Sequence, residues 1–185
     1  MGKINNLILT VKARGVTTAI FAIWNLFIKS LEEVFLRRRY IKRQIHDYKM
    51  LLDVKDSGIS RSLILFRRRE EDHKILLKQI MHSRMRVFDI GANIGYYALM
   101  ELSMLEDEKQ LVAFEPVKDN YKLLKKNLDL NGFKNVTVLN AAISNEGGER
   151  DFFLAQESNL GSFHKSDLNQ SSSSGGVSKV KVLSF

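Results

Sequence analysis

The sequence predicts an α/β fold, a doubly wound parallel sheet preceded by a helical extension. Three observations predict it. Short apolar runs of strand length recur at 86–90, 111–114 and 136–139. The segments between them, 95–105 and 117–130, place apolar residues three and four apart, the period of a helix with one buried face. The connections are too long for hairpins and suit crossover helices, so strand–helix–strand–helix–strand reads as parallel winding.

The extension occupies residues 1–50. Met1 to Gly15 is weakly patterned, and Asn6 stands where an N-terminal acylation signal needs Ser or Thr. From Val16 to about Asp47 the pattern is helical: Ile20, Ile23, Trp24, Phe27, Leu31, Val34 and Phe35 form a stripe that Ile41 and Ile45 continue. Its apolar block, Ala19 to Ile28, is about ten residues long, too short to span a bilayer. No small-residue cleavage site closes it, so a secretory signal is not expected. Basic residues follow at Arg37, Arg38, Arg39, Lys42 and Arg43. Two readings of the helix stand: packing on the domain or a second copy, or lying at a membrane surface with Trp24 and Phe27 in the lipid boundary.

Residues 51–185 form the second unit. Apolar runs at Met50 to Val54 and Ser62 to Phe66, around the turn Lys55-Asp56-Ser57-Gly58, predict a small hairpin. Arg67-Arg68-Arg69 is a solvated or acid-paired patch, with contact to an acidic acceptor as the alternative. Glu70 to His82 reads as a helix with Ile75, Leu76, Ile80 and Met81 inward and acids in its first turn. The helix at 95–105 buries Tyr97, Leu99, Met100 and Met104. In the next, Tyr121, Leu124 and Leu128 face inward, Pro116 suits the first turn, and Asn131-Gly132 ends it. Asp151 to Leu154 and Val177 to Phe185 read as added strands, and Ser171 to Gly176 as a low-complexity loop.

The chemistry gathers at Val87-Phe88-Asp89-Ile90-Gly91-Ala92-Asn93-Ile94-Gly95-Tyr96-Tyr97. A strand, a glycine turn and a helix start bring backbone N–H groups to a ligand. Gly91 and Gly95 admit close approach of the backbone, and Asn93 stands where a third glycine is expected, because Asn tolerates φ > 0. The dinucleotide fingerprint needs Gly at 93 and 96, where Asn93 and Tyr96 stand, so a nicotinamide oxidoreductase is disfavoured. The pattern D-x-G-x-N-x-G resembles the first motif of Rossmann-like S-adenosylmethionine (SAM)-dependent methyltransferases. About 25 residues after Asp89, the run Leu111-Val112-Ala113-Phe114 ends in Glu115. An acid at this strand tip can accept hydrogen bonds from both ribose hydroxyls of an adenosyl cofactor. Asn140, at the tip of the third strand, either hydrogen-bonds the adenine base or serves as a turn residue.

Bulk composition narrows the field. There is no cysteine, and His46, His73, His82 and His164 lack metal-ligand spacing. No nucleophile elbow or P-loop appears. Of the net charge of +8, residues 1–50 carry +7 (10 Lys/Arg against 3 Asp/Glu) and residues 51–185 carry +1 (19 against 18). A nucleic-acid substrate normally needs a basic face, so none is expected.

Four stretches together resemble the FkbM family of methyltransferases: Gly58-Ile59-Ser60 with Arg69-Glu70; Phe88 to Tyr97; Ala113-Phe114-Glu115-Pro116 with Tyr121, Leu124 and Asn127; and Val138 to Ser144 with Gly147-Gly148. The resemblance covers roughly 51–185. It implies the Rossmann-like sheet of class I methyltransferases, SAM as cofactor, and methyl transfer to a hydroxyl of a sugar, lipid or other small molecule. It implies that Asp89, Gly91, Asn93 and Gly95 shape the methionine side and that Glu115 binds the ribose. Similar family members continue into a further strand with an acidic, glycine-containing segment, so a truncated member with a sheet incomplete at its C-terminus is expected. No residue is marked as the catalytic base. The expected setting is cytoplasmic, with peripheral membrane contact through the N-terminal helix. The alternative is a non-catalytic remnant acting as a partner or membrane-surface module.

Overall fold

A computed structural model describes residues 15–35, 38–155, 161–164 and 176–184. The expected loop at 171–175 and the segment 1–14 lie outside the described residues.

The chain enters helix α1 (Val16–Phe35) and then strands β1 (Tyr40–Ile45) and β2 (Tyr48–Asp53), an antiparallel pair with Ile45 opposite Tyr48. Here the expectation of one helix to residue 47 is corrected. Ile41 and Ile45 are buried, but on a strand. Their four-residue spacing fits a helix face and, as two steps of two, a strand face equally. The β-branched and aromatic residues of Tyr40-Ile41 and the turn at His46, which takes a left-handed φ of 51°, decide for the hairpin.

The hairpin expected at 50–66 is corrected with it. Helix α2 (Ile59–Phe66) replaces its second strand. Asp56 starts this helix: its carboxylate accepts from the N–H of Gly58 (2.9 Å) and of Ser60 (2.8 Å), groups that no preceding helical turn serves. Helix α1 lies on α2 through buried Asn25, whose amide donates to the Leu65 carbonyl (3.2 Å) and accepts from Arg67 (3.0 Å).

Helix α3 (Glu71–Ile80) follows, close to its predicted span, but its orientation differs from expectation. Ile75, Leu76 and Ile80 are exposed, while Leu77 and Lys74 are half-buried. The side facing the core is the one carrying Leu77; Met81 is half-buried.

The central unit matches the predicted order. Strands β3 (Val87–Ile90), β4 (Leu111–Phe114) and β5 (Thr137–Leu139) form a parallel sheet in the order β3-β4-β5, with Asp89 beside Ala113 and Ala113 beside Val138. Helix α4 (Tyr96–Leu102) connects the first pair and α5 (Lys118–Leu130) the second. Leu99, Met100, Leu124 and Leu128 are buried as expected, whereas Tyr97, Met104 and Tyr121 are only half-buried and Pro116 lies two residues before α5. Met50, Leu52, Leu63, Leu99, Leu111 and Leu124 share one core, so the hairpin and α2 close one side of the sheet unit.

The remaining strands leave this sheet. Among the described residues, β6 (Ala142–Ser144), β7 (Gly148–Phe153) and β8 (Val177–Ser184) make a separate mixed sheet in the order β6-β8-β7. The break falls at Asn140, whose amide donates to the carbonyls of Glu115 (2.8 Å) and Pro116 (3.0 Å) and turns the chain out of register with β4. On the far side, β3 pairs with β4 alone among the described strands, and Phe88 and Ile90 are exposed.

Two asparagines lock the hairpin to α5. Asn127 and Asn131 are about 6 Å apart along the helix, and Lys49 and Leu51 are about 7 Å apart along β2. The match lets each side chain pair with one strand residue like an added strand. Asn127 accepts from Leu51 N–H (2.7 Å) and donates to Leu51 O (3.3 Å); Asn131 accepts from Lys49 N–H (2.9 Å) and donates to Lys49 O (2.7 Å).

Candidate cofactor-binding site

The turn between β3 and α4 is held from both sides. The N–H groups of Gly91 and Ala92 donate to the Phe114 carbonyl at 2.9 and 3.0 Å, so the turn is a continuation of the β3–β4 pairing. Gly91, Asn93 and Gly95 take φ of 84°, 51° and 91°. The left-handed tolerance expected of Asn93 is therefore used. A Cβ on Gly95 would come within 2.8 Å of Leu124 Cδ1, so its absence lets α4 start against α5. At Gly91 nothing lies within 4 Å of where a Cβ would stand, which leaves the backbone open to a ligand.

Glu115 sits at the tip of β4 and is tied to this turn. One carboxylate oxygen accepts from Asn93 N–H at 2.8 Å; the other accepts from Val117 N–H at 2.8 Å and from the more distant Asn120 amide. It is 3% exposed. Burial pushes its pKa up to about 7, against the pull of the Val117 and Asn93 N–H groups and the Asn120 amide; Asp89 raises it slightly.

A cleft of about 260 Å³ lies over these residues. Gly91, Ala92, Asn93 and Glu115 line it, together with Arg69, Glu70, Tyr96 and Tyr97. Of the six sequence-predicted site residues, Gly91, Asn93 and Glu115 are therefore brought together on one cleft. Gly95 shapes it from behind. Asn140 is exposed, with its amide donors committed to Glu115 and Pro116 carbonyls. Asp89 does not line the cleft. Burial pushes its carboxyl up to about 6, and one of its oxygens has no partner among the described residues. Its neighbour across the β3–α4 interface is Glu101, pushed up to about 8 by burial and then by Asp89.

Glu70, Tyr96 and Tyr97 carry no site signal in the sequence, and Arg69 carries one only as part of the arginine run for which contact with an acidic acceptor is the alternative, although all four stand within stretches that carry the family resemblance. Tyr96 holds the Arg69 backbone at both groups: its hydroxyl donates to the Arg69 carbonyl and accepts from the Arg69 N–H (3.2 Å). Tyr97 donates to the Glu70 carboxylate and lies 2.7 Å from His73 Nδ1. The two consecutive tyrosines thus fix the 69–70 segment over the turn that precedes them.

The model of the methyltransferase FkbM domain matches residues 89–183, just over half of the 185 residues. The chain belongs to this FkbM methyltransferase family. No curated protein sequence matches it. Among solved structures, it is similar to the tRNA m1G37 methyltransferase of M. jannaschii (18% identity over 60% of this chain, TM-score 0.42) and to Methanocaldococcus jannaschii Trm5 in complex with adenosine (18%, 59%, TM-score 0.43). A third, a complex of aTrm5 with tRNALeu, gives 16% identity over 62% of the chain and a TM-score of 0.43. The chain spans 34–40% of the length of these three. Likeness at this level carries no argument about function, and the tRNA and adenosine belong to those proteins.

SAM is the cofactor that goes with the FkbM family, and the residues present fit it. The open backbone at Gly91 admits close approach. The Glu115 oxygen that accepts from Asn93 N–H retains acceptor capacity toward a ribose hydroxyl, and the other is shared between Val117 N–H and the more distant Asn120 amide.

Proposed function

We propose that this FkbM-family chain is a SAM-dependent methyltransferase that methylates a hydroxyl of a sugar, lipid or other small molecule, and that the β3-β4-β5 unit is the cofactor half of a Rossmann-like, doubly wound sheet. The observation that carries this reading is the bond from Asn93 N–H to Glu115. It couples the turn after β3 to the acid at the tip of β4, the two features a nucleoside cofactor must meet together.

When bound, SAM supplies an electrophilic methyl group on a sulfonium. The chain's part is then to bind and orient. Glu115 accepts from the ribose hydroxyls. Gly91 and Asn93 present backbone toward the methionine side, and Gly95 allows the turn to sit tightly on α5. In this reading Asp89 shapes the methionine side from behind the cleft, and Asn140, its amide donors committed, accepts from the adenine base through its side-chain oxygen. The choice of a small acceptor over a nucleic acid is supported by the near-neutral balance of residues 51–185.

Titration calorimetry with SAM, with NAD as the control, tests the reading. The wild-type chain should bind SAM and not NAD. Glu115→Gln should weaken SAM at least about tenfold, because an amide offers one acceptor oxygen where the carboxylate offers two. Affinity should also rise from pH 6 to pH 8 as the Glu115 carboxyl, near 7, ionises. An unchanged affinity in Glu115→Gln, or in the double variant Asp89→Asn, Glu115→Gln, would sink the assignment.

A second reading rests on α1. Ile20, Trp24 and Phe27 are each more than half exposed on one stripe. Among the described residues no helix is long and apolar enough to cross a membrane. The reading is therefore contact with a membrane surface, by an enzyme or by a non-catalytic module, from the cytoplasmic side. Sedimentation with anionic vesicles, compared between wild type and Trp24→Ser, Phe27→Ser, separates it from packing on another protein.

A further inference from the structure

The cleft has a charged wall that the cofactor reading has not used. Arg69 and Glu70 stand side by side in the chain, and both line the cleft with Gly91 and Asn93. Glu70 holds a left-handed backbone, φ 50° and ψ 53°, without being glycine. Such a conformation persists only where the surroundings impose it. Here Tyr96 imposes it through both backbone groups of Arg69, and Tyr97 through the Glu70 carboxylate.

The charges on this wall are held ready. Arg69 Nε donates to Glu70 at 2.8 Å. Its two Nη groups have no partner among the described residues. Burial would push the Glu70 carboxyl up, but the Tyr97 hydroxyl and Arg69, with His73, outweigh it and keep the group ionised. Both side chains are about one-third exposed, so their mutual pairing is weak and exchangeable. A guanidinium fork beside a carboxylate, on the cleft that Glu115 closes on its ribose side, is complementary to a zwitterion: a carboxylate for the fork and an ammonium for the acid.

We propose that Arg69 and Glu70 clamp the α-amino-acid end of SAM, Arg69 taking its carboxylate and Glu70 its ammonium, with Tyr96 and Tyr97 as the positioning residues. The proposal rests on the cofactor reading above.

The test compares two probes by calorimetry on the full chain. S-Adenosylhomocysteine keeps the amino-acid end; 5′-methylthioadenosine keeps the nucleoside and the thioether but lacks that end. Wild type should bind the first at least about tenfold more tightly. Arg69→Met and Glu70→Gln should each remove most of that difference while leaving methylthioadenosine within about twofold, and Arg69→Lys should lose part of it. Equal affinity of wild type for the two probes overturns the clamp and leaves the cofactor reading standing, a result that needs no variant to fold. Parallel loss of both probes in the variants overturns it as well, since that is damage to the cleft as a whole. Failure of wild type to bind either probe overturns the cofactor reading and the clamp together.

Discussion

Replacing Asn127 with alanine should destabilise the chain far more than the same change at Asn131, four residues on. Asn127 is fully buried. Its side chain accepts from Leu51 N–H at 2.7 Å and donates to Ile94 O at 2.8 Å and Leu51 O at 3.3 Å. Truncation leaves the buried Ile94 carbonyl and the half-buried Leu51 N–H and carbonyl without these partners. At about 1–1.5 kcal/mol each, the loss is about 3–4.5 kcal/mol. For a chain of this size that lowers the melting temperature by roughly 6–18 °C. Asn131 makes a comparable set of bonds to Lys49 and to the Asn127 carbonyl, but at the half-buried end of α5, where water can replace them. Its truncation should cost no more than about 1 kcal/mol. Urea unfolding followed by circular dichroism measures both. Because Asn127 also holds the Ile94 carbonyl inside the turn after β3, SAM affinity should fall in Asn127→Ala and not in Asn131→Ala. If Asn127→Ala costs less than about 1 kcal/mol, or no more than Asn131→Ala, the partner accounting is wrong.

The buried acids give a pH dependence of defined sign. The Glu101 carboxyl, pushed up to about 8 in the folded chain, binds a proton there that the unfolded chain has released, so its contribution is fully present below about 4.5 and is lost as pH rises through about 8. The slope over that window approaches about 1.4 kcal/mol per pH unit; Asp89, pushed up to about 6, adds to its lower half. Glu101→Gln should flatten the stability profile between pH 5 and 8 and be the more stable protein at pH 8, and parallel profiles would contradict the burial argument. Gly95→Ala should cost more than Gly132→Ala. Both positions hold a left-handed φ, which costs about 1 kcal/mol for alanine, but only at Gly95 must Leu124 also move. Equal losses would mean that the close approach of α4 to α5 is not tight.

The parallel unit was legible because its signals are local. Strand-length apolar runs, helical spacing and the Gly91-Asn93-Gly95 turn each need only a few neighbouring residues, and they carried the order β3-α4-β4-α5-β5 and the placing of Glu115 at a strand tip. Spacing misled where two periods coincide. Ile41 and Ile45 satisfy a helix and a strand alike, and only pairing with Leu52 and Tyr48 across the hairpin chooses between them. Ile75, Leu76 and Ile80 have the spacing of a buried stripe, yet the face α3 turns to the core is set by where the 69–70 segment is anchored.

That anchoring is the part beyond reach of the sequence. Asn127 and Asn131 became strand partners because a helix repeat and a strand repeat happen to match in length once α5 lies along β2. Asp89 adds to the burial that raises Glu101 because β3 and α4 bring their carboxyls to one interface. Arg69 and Glu70 reach the cleft because Tyr96 and Tyr97, some 27 residues later, hold them there. The chain alone determined the turn, its glycines and the acid that faces it, since these depend on backbone conformations that few residue types allow. Which charged groups share their cleft depended on long-range hydrogen bonds, whose partners are distant in sequence and acquire a geometry only in the folded molecule.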